Sequence, residues 1–73
     1  MEQLEYRKKI GLRIAEIRAD MGLSTYQLAD MTGIRAQNIT RIEKGRYSTG
    51  IDLLGKIAEA LGYTIDFIEI NIK

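Results

Sequence analysis

The 73-residue chain contains no cysteine, histidine, proline or tryptophan. Without cysteine it has neither a disulfide framework nor a thiolate metal site, which fits a reducing compartment. Without histidine it also lacks the commonest general base and a frequent zinc ligand. An enzyme built from this chain would have to rely on carboxylates, hydroxyls and lysine alone. We therefore expect no catalytic activity, no metal and no cofactor.

Long apolar runs are also missing. No stretch approaches the roughly 20 apolar residues that a membrane-spanning helix needs. The N-terminal MEQLEYRKK has no apolar segment of the kind that follows the basic residues of a signal peptide. These absences predict a cytoplasmic protein, associated with the nucleoid if it binds DNA, and no membrane partner.

Residues 1–73 are expected to form a single domain. A chain of this size buries only about 60% of its unfolded surface, so a partner subunit would add stability. The formal net charge is +1, which is little for a non-specific nucleic-acid binder. The distribution is uneven, however. Residues 35–47 contain one acid, Glu43, and four cationic side chains, which are Arg35, Arg41, Lys44 and Arg46.

Apolar residues at helical spacing, interrupted by glycine, predict four helices. The first, of about 17 residues, ends at Gly22. The fourth covers roughly residues 50–61, with Thr49 as its N-cap and Gly62 as its end. The residues predicted to face inward are Leu4, Ile10, Ile14, Ile17 and Met21 in the first helix and Leu53, Leu54, Ile57, Ala58 and Leu61 in the fourth.

Two short helices with a glycine turn between them are predicted within residues 24–45. Ser24 and Gln27 have the spacing of a capping box, which starts the second helix near Thr25. Gly33 interrupts the chain, and a third helix follows from about residue 35 to residue 44. The layout is that of a helix-turn-helix unit. The inward residues expected in the second helix are Leu28, Ala29 and Met31.

The third predicted helix carries an unusual density of hydrogen-bonding groups. On a helical wheel Ile39 and Ile42 define the inward side. Gln37, Thr40, Arg41 and Lys44 lie opposite. A glutamine can pair with adenine, an arginine can pair with guanine, and a threonine methyl can contact the thymine methyl, so this face suits the major groove of DNA. The alternative is an ordinary solvated helix surface.

The C-terminal YTIDFIEINIK is rich in β-branched and aromatic residues that alternate along the chain. This pattern predicts a β-strand over residues 63–72. A lone strand leaves its edges unpaired, so we expect it to pair with the same strand of a second copy, antiparallel about a twofold axis. The alternative is a short fifth helix with a frayed tail. The residues expected in the dimer contact are Ile65, Phe67, Ile68 and Ile70.

Four segments together resemble the phage repressor and Cro group of helix-turn-helix proteins, also called Xre-type regulators. They are IGLRIAEIR, LSTYQLADMTGI, NITRIEKGR and LLGKIAEALG. The resemblance implies a mostly α-helical, repressor-like domain of four helices that docks its third helix in the major groove. The terminal strand is more similar to antitoxin-type members whose C-terminal strands pair across a dimer.

The resemblance also implies roles for individual residues. It implies an ion pair between Arg18 and Glu43 that stabilises the fold and does not contact DNA. The residues expected to contact base edges are Arg35, Ala36, Gln37, Thr40 and Arg41. The residues expected to contact phosphates are Thr25, Asn38, Lys44, Arg46 and Tyr47. Arg35 departs from the family pattern, which has a serine cap, so the third helix is expected to begin without a side-chain cap. Tyr26 has two open roles, a phosphate contact and packing on a neighbouring helix.

The predicted function is sequence-specific binding to double-stranded DNA as a homodimeric transcriptional regulator of a palindromic operator, more in the manner of a repressor than of an activator. The alternative is the antitoxin half of a toxin–antitoxin pair, which would bind a toxin protein and repress its own operon. Gene neighbourhood distinguishes the two, since the second requires an adjacent frame that encodes a toxin.

Overall fold

A computed structural model describes residues 3–71 of the chain. These residues form four helices, α1 (Gln3–Asp20), α2 (Thr25–Thr32), α3 (Ala36–Glu43) and α4 (Ile51–Ala60). The four predicted helices are therefore confirmed. The side chain of Leu4, and Ile72 at the end of the predicted strand, lie outside the described part. Over residues 3–71, no helix is both long and apolar enough to span a membrane.

The capping box predicted for α2 is present. The Ser24 hydroxyl accepts a hydrogen bond from the Gln27 amide at 3.0 Å, and the Gln27 side-chain oxygen accepts from the Ser24 amide at 2.7 Å. Two N–H groups that have no partner within the helix are thereby satisfied. The local sequence thus fixes where α2 begins.

Glycine follows each helix, as the sequence predicts, and Gly45 shows why. Its φ is +72°, a left-handed conformation that residues with a Cβ rarely adopt. The turn is closed by hydrogen bonds from the Gly45 amide to the Ile42 carbonyl at 3.0 Å and from the Arg46 amide to the Arg41 carbonyl at 2.9 Å. This is a Schellman motif, which ends α3 and folds the next residues back along it.

The predicted cap of α4 is wrong. The residue at the N-cap is Gly50, which has extended backbone angles and makes no side-chain capping bond. Thr49 lies one residue too early, and its buried hydroxyl has no hydrogen-bond partner among the described residues. Glycine is tolerated at an N-cap at a cost of only a few tenths of a kcal/mol relative to the best caps. Packing of α4, not its cap, therefore sets where this helix begins.

The hydrophobic core is formed by one cluster that draws on all four helices and on the turn between α2 and α3. Its members are Ile14, Ile17, Leu28, Ile34, Ile39, Ile42, Ile57 and Leu61. Ile10, Met21 and Met31, which the sequence assigned to the interior, are exposed by 38%, 48% and 52%. Met21 follows the last residue of α1, where helical spacing no longer applies. Met31 lies at the margin of a buried side that is centred on Leu28 and Thr32, one turn apart.

At Gly11 the backbone of α1 lies close to the C-terminal end of α3. A Cβ on Gly11 would collide with the Ile42 carbonyl oxygen and would lie 2.8 Å from the Glu43 carbonyl oxygen. Both obstacles are backbone atoms, which cannot rotate away as a side chain can. Glycine at position 11 is therefore a condition of this helix packing.

Arg18 of α1 and Glu43 of α3 form a bidentate ion pair. The Arg18 Nε and Nη2 atoms donate to the two Glu43 carboxylate oxygens at 2.6 and 3.0 Å. Arg18 Nη1 also donates to the Leu23 carbonyl at 2.7 Å. The side chains are only 18% and 9% exposed. The hydrogen bonds to Glu43 raise the pKa of Arg18 above its usual range, against the opposing effect of partial burial.

Residues 63–71 do not form a strand, so the predicted C-terminal strand is not present in the single chain. The physical reason is that a strand needs a neighbour to receive its backbone hydrogen bonds. No other strand exists within residues 3–71 to provide one. The alternative, a short fifth helix, is not formed either, since Gly62 ends α4 and no helix follows before residue 72.

We predict that Glu43→Ala lowers the free energy of unfolding by about 3 kcal/mol, because it leaves the partly buried Arg18 charge without its partner. The measurement is urea denaturation followed by circular dichroism. The matched control is Glu16→Ala, which removes an exposed pair with Arg13 at 3.8 Å, with side chains 54% and 57% exposed. That loss should be within about 0.5 kcal/mol. Equal losses for the two variants would contradict the prediction.

We predict that alanine has opposite effects at two helical glycines. Gly11→Ala should destabilise the protein by about 1–3 kcal/mol, because the backbone of α3 must move away from the new methyl group. Gly55→Ala, in open space on α4, should stabilise it by about 0.5–1 kcal/mol through helix propensity. Melting temperatures of the two variants measure the difference. A stabilised Gly11→Ala variant would show that the close approach does not constrain the fold.

Candidate nucleic-acid interface

Helix α3 has one buried side and one exposed side. Ile39 is fully buried and Ile42 is 4% exposed, and they hold the helix against α1 and α2. Gln37 and Arg41, one helical turn apart, are exposed on the other side. The predicted inward and outward sides of α3 are therefore correct, and the side chains of Gln37 and Arg41 face away from the protein.

The turn between α2 and α3 is held by backbone and side-chain hydrogen bonds. The Thr32 hydroxyl donates to the Leu28 carbonyl at 2.9 Å and accepts from the Ile34 amide at 3.3 Å. Gly33 has φ of +75°, and its amide donates to the Ala29 carbonyl at 2.8 Å. Thr32 and Ile34 are both buried. These contacts fix the direction in which α3 leaves α2, and hence where its exposed side points.

Helices α2 and α3 together form an open concave surface with a volume of about 710 Å³. All five residues expected to contact bases lie on it, together with one of the residues expected to contact phosphate. Its lining is Thr25, Tyr26, Arg35, Ala36, Gln37, Thr40 and Arg41. The side chains that the sequence grouped by resemblance are thus brought together in space, and their role in binding stays a prediction.

Tyr26 lies on this surface, and the sequence leaves two roles open for it. It is 74% exposed, so packing against a neighbouring helix is not its role. Its position directly after Thr25 at the start of α2 places it at the rim of the concave surface. A phenol there can donate a hydrogen bond to a ligand held in the groove.

The hydroxyl of Thr40 is already engaged in the free protein. It donates to the Ala36 carbonyl at 3.2 Å, a bond back to the preceding turn of the helix. Its proton is therefore used, whereas its lone pairs and its methyl group remain available. We expect Thr40 to contact a ligand through an accepted hydrogen bond or through the methyl, and not as a donor.

Arg35 is the N-cap of α3 and makes no side-chain capping bond, as expected from the sequence. Its carbonyl accepts from the amides of Asn38 and Ile39 at 2.9 and 3.0 Å. Arginine has no side-chain oxygen that could accept from the amides of the first turn. The first turn of α3, at one end of the concave surface, therefore has no side-chain cap. The positive end of a helix dipole favours an anion in this position.

The exposed charge within residues 35–47 is of one sign. The four cations of residues 35–47 are all exposed. The single acid of that segment, Glu43, is largely buried and paired with Arg18. Its negative charge is therefore balanced inside the protein and weakens the exterior field little. Asp30, on the concavity that adjoins Arg35, is the nearby acid that remains exposed.

The predicted phosphate contacts other than Thr25 lie outside the concave surface. Lys44 and Arg46 are exposed in the turn after α3, and Asn38 is half-buried on α3 itself. Tyr47 is half-buried against the core, and the Arg41 guanidinium carbon lies 5.2 Å from the centre of its ring. Most of the predicted residues therefore fall into two groups, those that line the concave surface and the cations of the turn after α3.

Comparison with known proteins agrees with this geometry. A family model described as helix-turn-helix matches residues 14–68. The chain is 45% identical over 49 residues to an uncharacterized HTH-type transcriptional regulator of Methanothermobacter thermautotrophicus, covering 67% of this chain and 71% of that protein. It is 41% identical over 46 residues to Antitoxin HicB 1 of Photorhabdus laumondii, covering 63% of this chain and 30% of that protein.

A solved structure supports the same conclusion. The restriction-modification controller protein C.AhdI from Aeromonas hydrophila superposes with a TM-score of 0.78 and is 29% identical, with 81% of this chain and 89% of that chain covered. The resemblance to Xre-type proteins is confirmed by the family match and by the fold. By its α2–turn–α3 geometry and by this match over most of its length, the chain belongs to the helix-turn-helix family.

Proposed function

We propose that this protein is a sequence-specific regulator of transcription that binds double-stranded DNA with α3 in the major groove. The observation that carries the proposal is the concave surface, on which an amide, a guanidinium and a hydroxyl point outward from one short helix. A major groove presents the complementary donors, acceptors and thymine methyl groups. A protein with this role works in the cytoplasm, at the nucleoid, and needs no cofactor.

Within this proposal the groove residues read bases and the surrounding residues hold the backbone. Gln37 suits adenine and Arg41 suits guanine, each through two hydrogen bonds. Thr25, at the opposite wall of the groove, and the exposed Lys44 and Arg46 suit phosphates, which carry no sequence information. Arg35, beside the uncapped start of α3, contacts a base edge and brings its charge close to the backbone.

We further propose that the protein acts as a homodimer on a palindromic operator. Residues 63–71 expose a series of large apolar side chains, among them Phe67 at 101%, Ile68 at 88% and Ile70 at 69%. Ile65 is exposed by 43% as well, and a second copy could bury these side chains. Association through these side chains does not require the strand that the sequence predicted. Binding to both half-sites of a palindromic operator would require the two copies of α3 to lie about 34 Å apart, one turn of DNA.

Repression is the simplest outcome of such binding. A dimer on an operator that overlaps a promoter excludes polymerase by occupying the site, and it needs no surface beyond the one that contacts DNA. Activation requires a second surface that contacts polymerase. We therefore propose repression as the action of this protein.

The second candidate function is that of an antitoxin. It is favoured by the similarity to Antitoxin HicB 1 and by the same exposed apolar side chains of residues 65–70, which a toxin protein could cover in place of a second copy. The discriminating observation is an adjacent reading frame whose product co-purifies with this chain. A chain that binds no product of its genomic neighbours when expressed together with them would contradict this function.

We predict that replacing Arg41 and replacing Arg46 by alanine weaken DNA binding in different ways. Arg41→Ala should reduce discrimination between operator and unrelated duplex by about 1–3 kcal/mol, because it removes a base contact. Arg46→Ala should weaken binding to all duplexes alike and shallow the dependence of log K on log salt by about one unit, because it removes a phosphate contact. The measurement is fluorescence anisotropy at two salt concentrations, on an operator selected from a random duplex library.

The two variants serve as controls for each other, because both remove one exposed arginine within six residues of chain. Equal losses on operator and on unrelated duplex for both would contradict the division into base and phosphate contacts. A wild-type protein that enriches no sequence from the library would contradict sequence-specific binding itself.

We predict that the wild-type protein is a dimer at micromolar concentration and that Phe67→Ala weakens association at least tenfold, because truncating a central aromatic residue of an interface removes much of its binding energy. Light scattering across a dilution series measures this. Leu12→Ala is the matched control, since Leu12 is also an exposed apolar side chain, at 59%, but lies on α1. A monomeric wild type, or equal weakening by both variants, would overturn the proposed contact.

A further inference from the structure

The side chain of Arg41 is held in place by an aromatic ring before any ligand is bound. Its guanidinium carbon lies 5.2 Å from the centre of the Tyr47 ring, within the range of a cation–π interaction. Arginine has several freely rotating bonds, so an exposed arginine normally samples many rotamers. A ring at this distance restricts that sampling.

The ring itself is fixed by the fold. Tyr47 is half-buried and packs against the hydrophobic core. The chain reaches it through the Schellman turn after α3, in which the Arg46 amide donates to the carbonyl of Arg41 at 2.9 Å. The backbone of Arg41 therefore anchors the loop that places Tyr47 beside the side chain of Arg41.

The stacked position of Arg41 is compatible with contact to bases. In the same conformation Arg41 lines the concave surface, together with Gln37 and Thr40. The ring thus does not withdraw the guanidinium from the face that is proposed to enter the major groove. A cation–π contact does not use the N–H groups of the guanidinium as hydrogen-bond donors to the ring, so they can still donate to a base.

We infer that Tyr47 is a positioning residue for base readout, one that acts through Arg41 in addition to any contact between its hydroxyl and a phosphate. The inference rests on the proposed function. Its physical basis is that a side chain ordered in advance loses less conformational entropy on binding. The gain applies to the base contact of Arg41, so it raises affinity for the operator and not for unrelated DNA.

The test compares Tyr47→Phe with Tyr47→Leu on an operator selected by the wild-type protein. Phenylalanine keeps the ring and lacks the hydroxyl, so it should weaken operator and unrelated duplex by the same factor and preserve their affinity ratio. Leucine keeps apolar bulk and lacks the aromatic face, so it should lower that ratio about 2- to 5-fold, as expected for an exposed cation–π contact of about 0.5–1 kcal/mol. Thermal melts verify that both variants fold.

A double-mutant cycle identifies the route of the effect. In an Arg41→Ala background, Tyr47→Leu should leave the affinity ratio unchanged, because the group that the ring positions is already missing. A readout without DNA is the NMR shift of the Arg41 Hδ protons, which the ring current should move upfield in the wild type and in Tyr47→Phe, but not in Tyr47→Leu.

Several outcomes would overturn the inference. An affinity ratio that falls equally for Phe and Leu would assign the effect to the hydroxyl. A ratio that rises for Leu would show that the ring restrains Arg41 from the bases. An undiminished effect of Leu in the Arg41→Ala background would make Tyr47 an independent contact. Failure of the wild type to select any sequence would instead overturn the proposed function, while the NMR shifts would still report whether the stacking exists.

Discussion

The contact between α1 and the end of α3 is the constraint on which the rest of the molecule depends. Helix α3 has 8 residues, a length at which an isolated helix is not stable in water. Its conformation therefore comes from what its inner side touches. Ile39 and Ile42 are buried, Gly11 lets the two backbones meet, and Arg18 binds Glu43. Because the contacts of the inner side stabilise the helix, the outer side needs no apolar contacts and can carry polar side chains.

The local distribution of charge explains how a chain with a net charge of +1 presents a cationic face. Surface charges interact over about 8–10 Å at physiological salt, so a bound phosphate responds to nearby charges and not to the sum over the chain. Near α3 the exposed charges are the acid Asp30 and the cations Arg35, Arg41, Lys44 and Arg46, whereas Glu43 is paired with Arg18. The net charge underestimates this face because it is a sum over the whole chain and contains no information on where the charges lie.

Sequence reasoning succeeded where the signal is local. The capping box at Ser24 and the glycine after each helix depend on a few neighbouring residues, and the structure contains them.

Prediction from the sequence failed where the outcome depends on distant packing. Met31 is exposed because another part of α2 meets the core, and Thr49 does not cap α4. The alternating pattern of residues 63–72 describes what could pair as a strand, but only a neighbouring strand makes it one. The outward position of Gln37, Thr40 and Arg41 follows from helical spacing, and the full set of base contacts from resemblance. The contact of Arg41 with Tyr47 joins two elements and has no sequence pattern.

The free energy of discrimination that base contacts can supply argues for two subunits on one operator. One α3 offers two side chains suited to bidentate recognition, Gln37 and Arg41, each able to contribute about 1–3 kcal/mol of discrimination. Specific regulators discriminate against unrelated DNA by about 4–10 kcal/mol, whereas two such contacts sum to about 2–6 kcal/mol and reach only the lower part of that range. A second copy doubles the number of contacts without new sequence, provided that a rigid interface sets the spacing. The exposed apolar residues 65–70 lie on the chain after α4, apart from the groove lining, so joining two copies there would leave both α3 faces open to DNA.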